Sequence, residues 1–426
     1  MSEFLLELYS EEIPPLLQIN AREHLKVELQ KFMNDQEIKY KNIFSYSCPT
    51  RILIAFDGLP EKIKIKSKEI KGPKVGVSED IIQKFSKSHN ISYKDLIKKK
   101  VEKGEFYFLK TSKKELFVKD LLADTLPKII SSISWKKSMK WSNNDLMWGR
   151  PLRAIFALFD RKKLPFSYYH LSSSDSVIVD QNLNTKSKKI NNLKEYISFL
   201  KTNKIIVDQT ERQKIIIKKF QTFSHLRNFK DQYSKYLLEE VVNIVEDPNV
   251  LLLDFDKKYL DIPKEIIIST LEKHQRYFPI FDKRERLTNF FFVVANKKDV
   301  KKFISEGNKR VVDARLSDAR FFWEKDRSKN LIKQIAKLKD ITLYEKIGTI
   351  YDKTQRVRKL AGLLSDELNI NKEKAQVAAS ICKSDLCSDL VGEYPELQGV
   401  MGKYFALSQG FDEDVANSVS DHYLPT

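Results

Sequence analysis

The hydrophobic period changes along this chain, and that change limits the folds open to it. Upstream of Leu331, short apolar runs rich in branched and aromatic residues end at turn-forming or polar residues: "RILIAFDGLP" at 51–60, "MWGRPLRAIFALFD" at 147–160, "NVLLLDF" at 249–255 and "NFFFVVAN" at 289–296. Such runs read as buried strands. Downstream, "LYEKIGTIYDKTQRVRKLAGLLSDEL" and "EKAQVAASICKSDLCSDLV" repeat apolar residues every third or fourth position, with no comparable strand candidate. That region reads as all helical. A chain holding both patterns closes neither as one sheet nor as one bundle, so a multidomain α+β fold is expected. Glu3–Tyr9 reads as a strand, and Pro14–Pro15 then launches a helix running through Phe32. Helical spacing dominates Leu193–Val245 between strand candidates, which makes the middle region mixed as well. The polar "SSSDS" at 172–176 reads as a loop, giving expected domains at 1–175, 176–330 and 331–426.

At 426 residues the chain can bury several cores. Its 76 basic and 58 acidic side chains give a formal charge of +18. The stretch Ala336–Thr426 holds 11 basic and 14 acidic side chains, so a balance of +21 lies upstream of it. A basic surface of that kind suits a polyanion such as RNA, DNA or an anionic membrane, although an AT-rich genome would also inflate lysine. Three cysteines, Cys48, Cys382 and Cys387, make no disulfide framework and suggest a reducing compartment, the cytoplasm. Glu3, Glu7, Glu11 and Glu12 break the basic, then apolar, pattern of a signal peptide. No apolar run approaches the roughly 20 residues that cross a bilayer, so no membrane partner is expected.

Two stretches concentrate candidate functional residues. "GNKRVVDARLSDARFFWEKDR" at 307–327 places Val312, Leu316, Ala319 and Trp323 on one helical face, as a core stripe. Arg310, Arg315 and Arg320 flank it with Asp313 and Asp318, and Arg315 and Asp318 stand at pairing distance along a helix. Carboxylates so close to guanidiniums make poor general bases, and this favours an ion-paired structural helix whose spare arginines could hold phosphates. "SWKKSMKWSNNDLMWGRPLR" at 134–153 interleaves Lys136, Lys137, Lys140, Arg150 and Arg153 with Trp135, Trp141 and Trp148. RNA surfaces use this mixture, and so does a tryptophan-anchored core with snorkelling lysines; the sequence leaves both open. The histidines, His24, His89, His170, His225, His274 and His422, lie without metal-site spacing, so no metal is expected. Cys382 continues the stripe of Ala375, Ala379, Leu386 and Leu390, so Cys382 and Cys387 read as core. No phosphate-cradling glycine motif or serine elbow is present, and no self-sufficient catalytic site can be read from the residues.

The strings themselves resemble a known family. "ELYSEEIPP", "CPTRILIAF", "KGPKVGV", "KSMKWSNNDLMWGRPLRAIFALF", "PKEIIISTLEKHQRYFPIFD", "GNKRVVDARLSDARFFWEKDR", "EYPELQGVMGKYFALSQG" and "DHYLP" follow in the order found in the β subunit of the bacterial heterotetrameric glycyl-tRNA synthetase. This resemblance implies a subunit that binds and positions glycine tRNA, while an α subunit holds the class II site that uses ATP and magnesium to activate glycine. It implies an α2β2 assembly and no cofactor on this chain. It also implies that the helical region after Leu331 is an HD-like domain, named for a fold whose hydrolase members bind metal through His and Asp. Here Asp385 is present, but Ser384 stands where the histidine would be. Two further departures stand out: "DQNL" at 180–183 replaces the family's Gly-His-Arg-Phe string, and the chain ends at Thr426, ahead of the family's anticodon-binding domain. An HD-type metal phosphohydrolase centred on Asp385 and a free-standing RNA-binding protein are the alternative readings.

Overall fold

A computed structural model describes residues 2–65, 69–88, 92, 96–101, 104–110, 114–141, 143–181 and 184–424. The chain forms two compact units, Met1–Gln209 and Thr210–Thr426. In the first, strand β1 (Ser2–Ser10) leads through helix α1 (Pro15–Asp35) into the hairpin β2 (Asn42–Cys48) and β3 (Arg51–Leu59). A lysine-rich segment follows, in which β4 (Lys62–Ile65) pairs with β8 (Lys114–Phe117). Between them lie β5 (Glu69–Lys74), helix α2 (Glu79–Ser88), β6 (Leu96–Val101) and β7 (Gly104–Lys110), whose strands form a separate sheet in the order β5-β7-β6. Helix α3 (Val118–Ser131) and the short ribbon β9 (Met139–Lys140) and β10 (Met147–Trp148) return the chain to β11 (Leu152–Phe159). Short strands β12 (Lys162–Lys163), β13 (Ser167–Tyr168) and β14 (Leu171–Ser174) come next, then the ribbon β15 (Ser176–Gln181) and β16 (Asn184–Lys189) and helix α4 (Leu193–Thr202).

The main sheet runs β13-β14-β11-β1-β3-β2, with β12 attached to β11. Its central strand β1 is buried on both faces, which is why its middle, Phe4 to Tyr9, is apolar but for Glu7. Successive side chains alternate between faces. Phe4, Leu6 and Leu8 pack under α1 and α3 with Leu25, Leu29, Leu122 and Leu126. Leu5 faces the other way, with Leu53, Phe156, Val177, Val179 and Tyr196. Glu7 shares that second face, where Arg51 Nη1 donates to its carboxylate at 2.9 Å and the Tyr196 hydroxyl donates to the same oxygen. Arg51 is 1% exposed and also donates to the Ile178 carbonyl. Burial works against the guanidinium's charge, and Glu7 more than offsets this, raising its pKa.

The polar stretch 172–176, expected as a loop, lies in strands on either side of a bend at Asp175: β14 pairs in parallel with β11, Ile155 opposite Ser173. Ser173 is buried because its hydroxyl donates to the Leu164 carbonyl at 2.7 Å and accepts from the Phe166 amide at 3.1 Å. Local backbone partners satisfy a serine side chain, so polarity did not exclude a strand there.

The second unit opens with α5 (Gln209–Arg227) and α6 (Lys235–Val242), then β17 (Asn249–Asp254), α7 (Lys264–Ser269), β18 (Phe278–Phe281) and β19 (Leu287–Ala295). The strands form an antiparallel sheet in the order β17-β19-β18. Phe220, Leu238 and Val241 of α5 and α6 cover Phe278, Ile280 and Phe292 on one face. Helix α8 (Phe303–Arg327) covers the other, packing Val312, Leu316, Ala319 and Trp323 with Leu253, Phe291 and Val293. All four stripe residues are buried, as their spacing predicts. Beyond Leu331 the chain is helical: α9 (Leu331–Gln334), α10 (Ile350–Leu368), α11 (Lys372–Ile381), α12 (Asp389–Glu393), α13 (Val400–Ser408) and α14 (Glu413–Asp421). One two-stranded ribbon, Thr342–Tyr344 with Gly348–Thr349, interrupts it.

The buried pair in the first unit gives a stability prediction. Glu7→Ala strands the Arg51 charge in the core and should cost about 3–5 kcal/mol of unfolding free energy in urea. The double variant Glu7→Leu with Arg51→Met, which removes both charges, should cost less than the single one.

Candidate nucleic-acid interface

In the 134–153 window the structure separates the aromatic residues from the basic ones. Trp148 is 1% exposed and its indole N–H donates to Ser10 Oγ at 3.2 Å. Trp135 packs on it with ring centroids 4.8 Å apart, and Trp141 is half-buried against the same core. Gly149 is required here, because a Cβ would lie 2.4 Å from the Trp135 ring. Trp148 and Trp135 therefore anchor the core, and Trp141 packs against it while staying partly exposed.

Lys136, Lys137 and Lys140 all point outward. Lys136 and Lys137 have no ion-pair partner among the described residues. Lys140 pairs with Asp145 at 2.5 Å, and such an exposed pair is weak enough for a phosphate to displace. Arg150 is half-buried and donates to the Gly149 carbonyl at 3.2 Å. Arg153 is committed internally, 2.7 Å from Asp180 and 3.4 Å from Glu11. Hydrogen bonds from Thr185 above all, then from Tyr9 and Arg153, hold the Asp180 carboxyl below its usual range against partial burial. Asn182 and Leu183 of the "DQNL" string, and His89, lie outside the described residues.

The arginines of α8 belong to the second unit. Arg310 is exposed with no ion-pair partner among the described residues. Arg315 pairs across to Glu393 at 3.3 Å rather than along the helix to Asp318, because α12 packs beside α8 and brings that glutamate within reach. Arg320 pairs with Glu324 at 2.8 Å, and Asp313 accepts from the Tyr259 hydroxyl at 2.9 Å. Asp313 is thus a hydrogen-bond acceptor already in use.

Ser384 and Asp385 are each 1% exposed, in the short turn between α11 and α12. Asp385 Oδ2 accepts from the Gly399 amide at 2.5 Å and the Gly402 amide at 3.3 Å. Burial pushes the Asp385 carboxyl above its ordinary pKa despite those donors. Among the described residues, no group of three or more His, Cys, Asp and Glu side chains is gathered as a metal ion would require. Cys382 is buried and Cys387 half-buried, both as free thiols.

Beside this turn is a cleft of about 660 Å³ that includes Lys353, Lys383 and His422. Lys383 Nζ lies 3.6 Å from the centre of the Tyr423 ring. Burial, with the neighbouring Lys353, lowers the Lys383 pKa, and burial with both lysines lowers that of His422. Sequence reading missed this basic group, because its members come from segments about thirty or more residues apart and no local motif joins them.

Comparison with known proteins places the chain. The family model described as glycyl-tRNA synthetase beta subunit matches residues 4–426. The glycine–tRNA ligase beta subunit of Rickettsia felis is 35% identical over 428 residues, covering 100% of this chain and 64% of the relative. Those of Rickettsia typhi and Rickettsia canadensis are 36% and 34% identical, each covering 100% of this chain and 63% of the relative. The chain thus spans about 64% of the length of the curated relatives it matches. A family match over nearly every residue, supported by relatives above 30% identity, means that the chain belongs to the glycyl-tRNA synthetase beta subunit family.

Proposed function

We propose that this chain acts as the β subunit of a glycine–tRNA ligase in the cytoplasm, binding glycine tRNA and positioning it for ATP-dependent glycylation at a separate α subunit. The observation that carries this reading is the family match over residues 4–426. In it, the α subunit's class II site forms glycyl-adenylate with ATP and magnesium, then passes glycine to the terminal adenosine of the tRNA. This chain supplies binding and orientation, which lower the barrier by holding the reactants together.

Exposed basic residues support the binding role. Lys136, Lys137 and Arg310 carry it most directly, since each is exposed and unpaired among the described residues. Lys140, Arg150, Arg315 and Arg320 add to it, while Arg153 has Asp180 and Glu11 to neutralise it. The Ser384 and Asp385 pair acts as a structural remnant in this reading, with the Gly399 and Gly402 amides taking the place of a cation.

Three measurements test these statements. Filter binding of glycine tRNA should weaken steeply with salt, and changing Lys136, Lys137 and Arg310 to Ala should flatten the log–log slope by about one unit per lost phosphate contact. Salt-independent binding would contradict the tRNA role. Light scattering of the chain mixed with the α subunit of the same organism should report a heteromer with the mass of α2β2; two separate species would contradict the subunit role. The third concerns Asp385, whose raised folded pKa means that the native state holds its proton more tightly than the unfolded chain. Stability should therefore fall as pH rises above the ordinary aspartate value of 3.8, and Asp385→Asn should remove that slope while leaving tRNA binding intact.

A further inference from the structure

The small sheet β5-β7-β6 has two unlike faces. Helix α2 packs on one: its Phe85 meets Gly72, where a Cβ would lie 2.8 Å from the ring, and Tyr107 and Leu109 are buried at 6% exposure each. Alternation along β7 turns Phe106 and Phe108 to the other face. There both residues are partly exposed. Cross-strand register fixes their neighbours: Lys71 and Ile97 stand opposite Phe108, and Lys74 and Lys99 opposite Phe106. Lys71 Nζ lies 3.7 Å from the centre of the Phe106 ring, and Ile97 is 50% exposed. The strand carrying Ile97 continues with three consecutive exposed lysines, Lys98, Lys99 and Lys100.

We propose that this open face is a platform for unpaired RNA bases, with Phe106 and Phe108 stacking on successive bases and Lys71 and Lys74 neutralising the adjoining phosphates. Two aromatic rings on one strand, two residues apart, offer the spaced π-faces on which single-stranded bases stack without regard to sequence. Lysines flanking them supply the charge complementarity that a nucleic acid needs and that an apolar protein partner would have to desolvate at a cost. This face is distinct from the Lys136–Arg153 window, where Trp148 is buried and Trp135 packs on it. The proposal deepens the tRNA-binding reading and rests on it, assigning recognition of an unpaired segment to this sheet.

The test uses the full chain with a fluorescent ten-nucleotide oligouridylate, and glycine tRNA in parallel. The double variant Phe106→Ala, Phe108→Ala should weaken oligouridylate binding by about tenfold or more, since one stacked base alone commonly accounts for that factor. Lys71→Ala should lower the salt slope by about one unit. Both rings are partly buried, so the double variant should melt somewhat earlier than wild type, and circular dichroism at the assay temperature shows whether each variant is folded. Equal oligouridylate affinity in wild type and folded double variant would overturn the platform. Absence of oligouridylate binding would overturn it too, while retained tRNA binding in the parallel assay would leave the broader function standing. Loss of α-subunit association in the double variant, with RNA binding unchanged, would reassign the face to a protein contact.

Discussion

The apolar stripe of α8 has two surfaces to satisfy at once, and the second unit is built around that demand. Val312, Leu316, Ala319 and Trp323 close the exposed side of the β17-β19-β18 sheet, while Trp323 stacks on Phe405 of α13 with ring centroids 5.5 Å apart. Sheet and C-terminal helices therefore share one core through one helix. The end of α8 adds a polar lock: Asp326, 2% exposed, accepts from the Leu390 amide at 2.7 Å and from Lys329 at 2.6 Å. That amide lies in the first turn of α12, where a carboxylate satisfies a donor the helix itself cannot. The stripe residues of this run face the core and most of its charges face water, while Phe321 stays 62% exposed and Asp326 turns inward to hold α12.

Charge divides into two populations with different physical meaning. The buried pair of Glu7 and Arg51 is a packing feature: its members hold each other and the Tyr196 hydroxyl in a place water does not reach. The exposed pairs, such as Lys140 with Asp145 and Arg320 with Glu324, contribute little to stability, so folding does not account for the excess of lysine. A surplus of +21 ahead of Ala336 also raises self-repulsion in the compact state. A polyanionic partner relieves that repulsion, which is the physical link between the composition and the tRNA-binding reading.

Element types were largely legible because period and length agree in this chain. The strands at 51–60, 152–159, 249–254 and 287–295 and the long helices read correctly, since runs buried on both faces and amphipathic stripes leave opposite signatures. Ser172–Ser174 escaped because a serine hydroxyl can take its partners from the local backbone, and hydropathy does not register that. The Arg315 partner escaped for a different reason: helical spacing points to Asp318, and only tertiary packing brings Glu393 closer. In the 134–153 window, composition could not tell stacking tryptophans from anchoring ones, because that distinction depends on which strand buries Trp148. The reverse happened in β7, where two ordinary-looking phenylalanines become notable only once register places lysines opposite them.

The turn at Ser384 and Asp385 holds its carboxylate by backbone donors. A metal ligand needs its carboxylate aimed into a space it shares with other donors, and Asp385 has the opposite environment. One oxygen already accepts two backbone amides, and the other is buried without a hydrogen-bond partner among the described residues. The carboxylate is held by the Gly399 and Gly402 amides, and at Gly402 the lack of a side chain permits the approach: a Cβ there would lie 2.6 Å from Val419 and 3.1 Å from the Asp385 carboxyl. Serine at 384 contributes a buried hydroxyl with no hydrogen-bond partner among the described residues. The Asp385 carboxylate thus ties the turn to the start of α13 through two backbone amides.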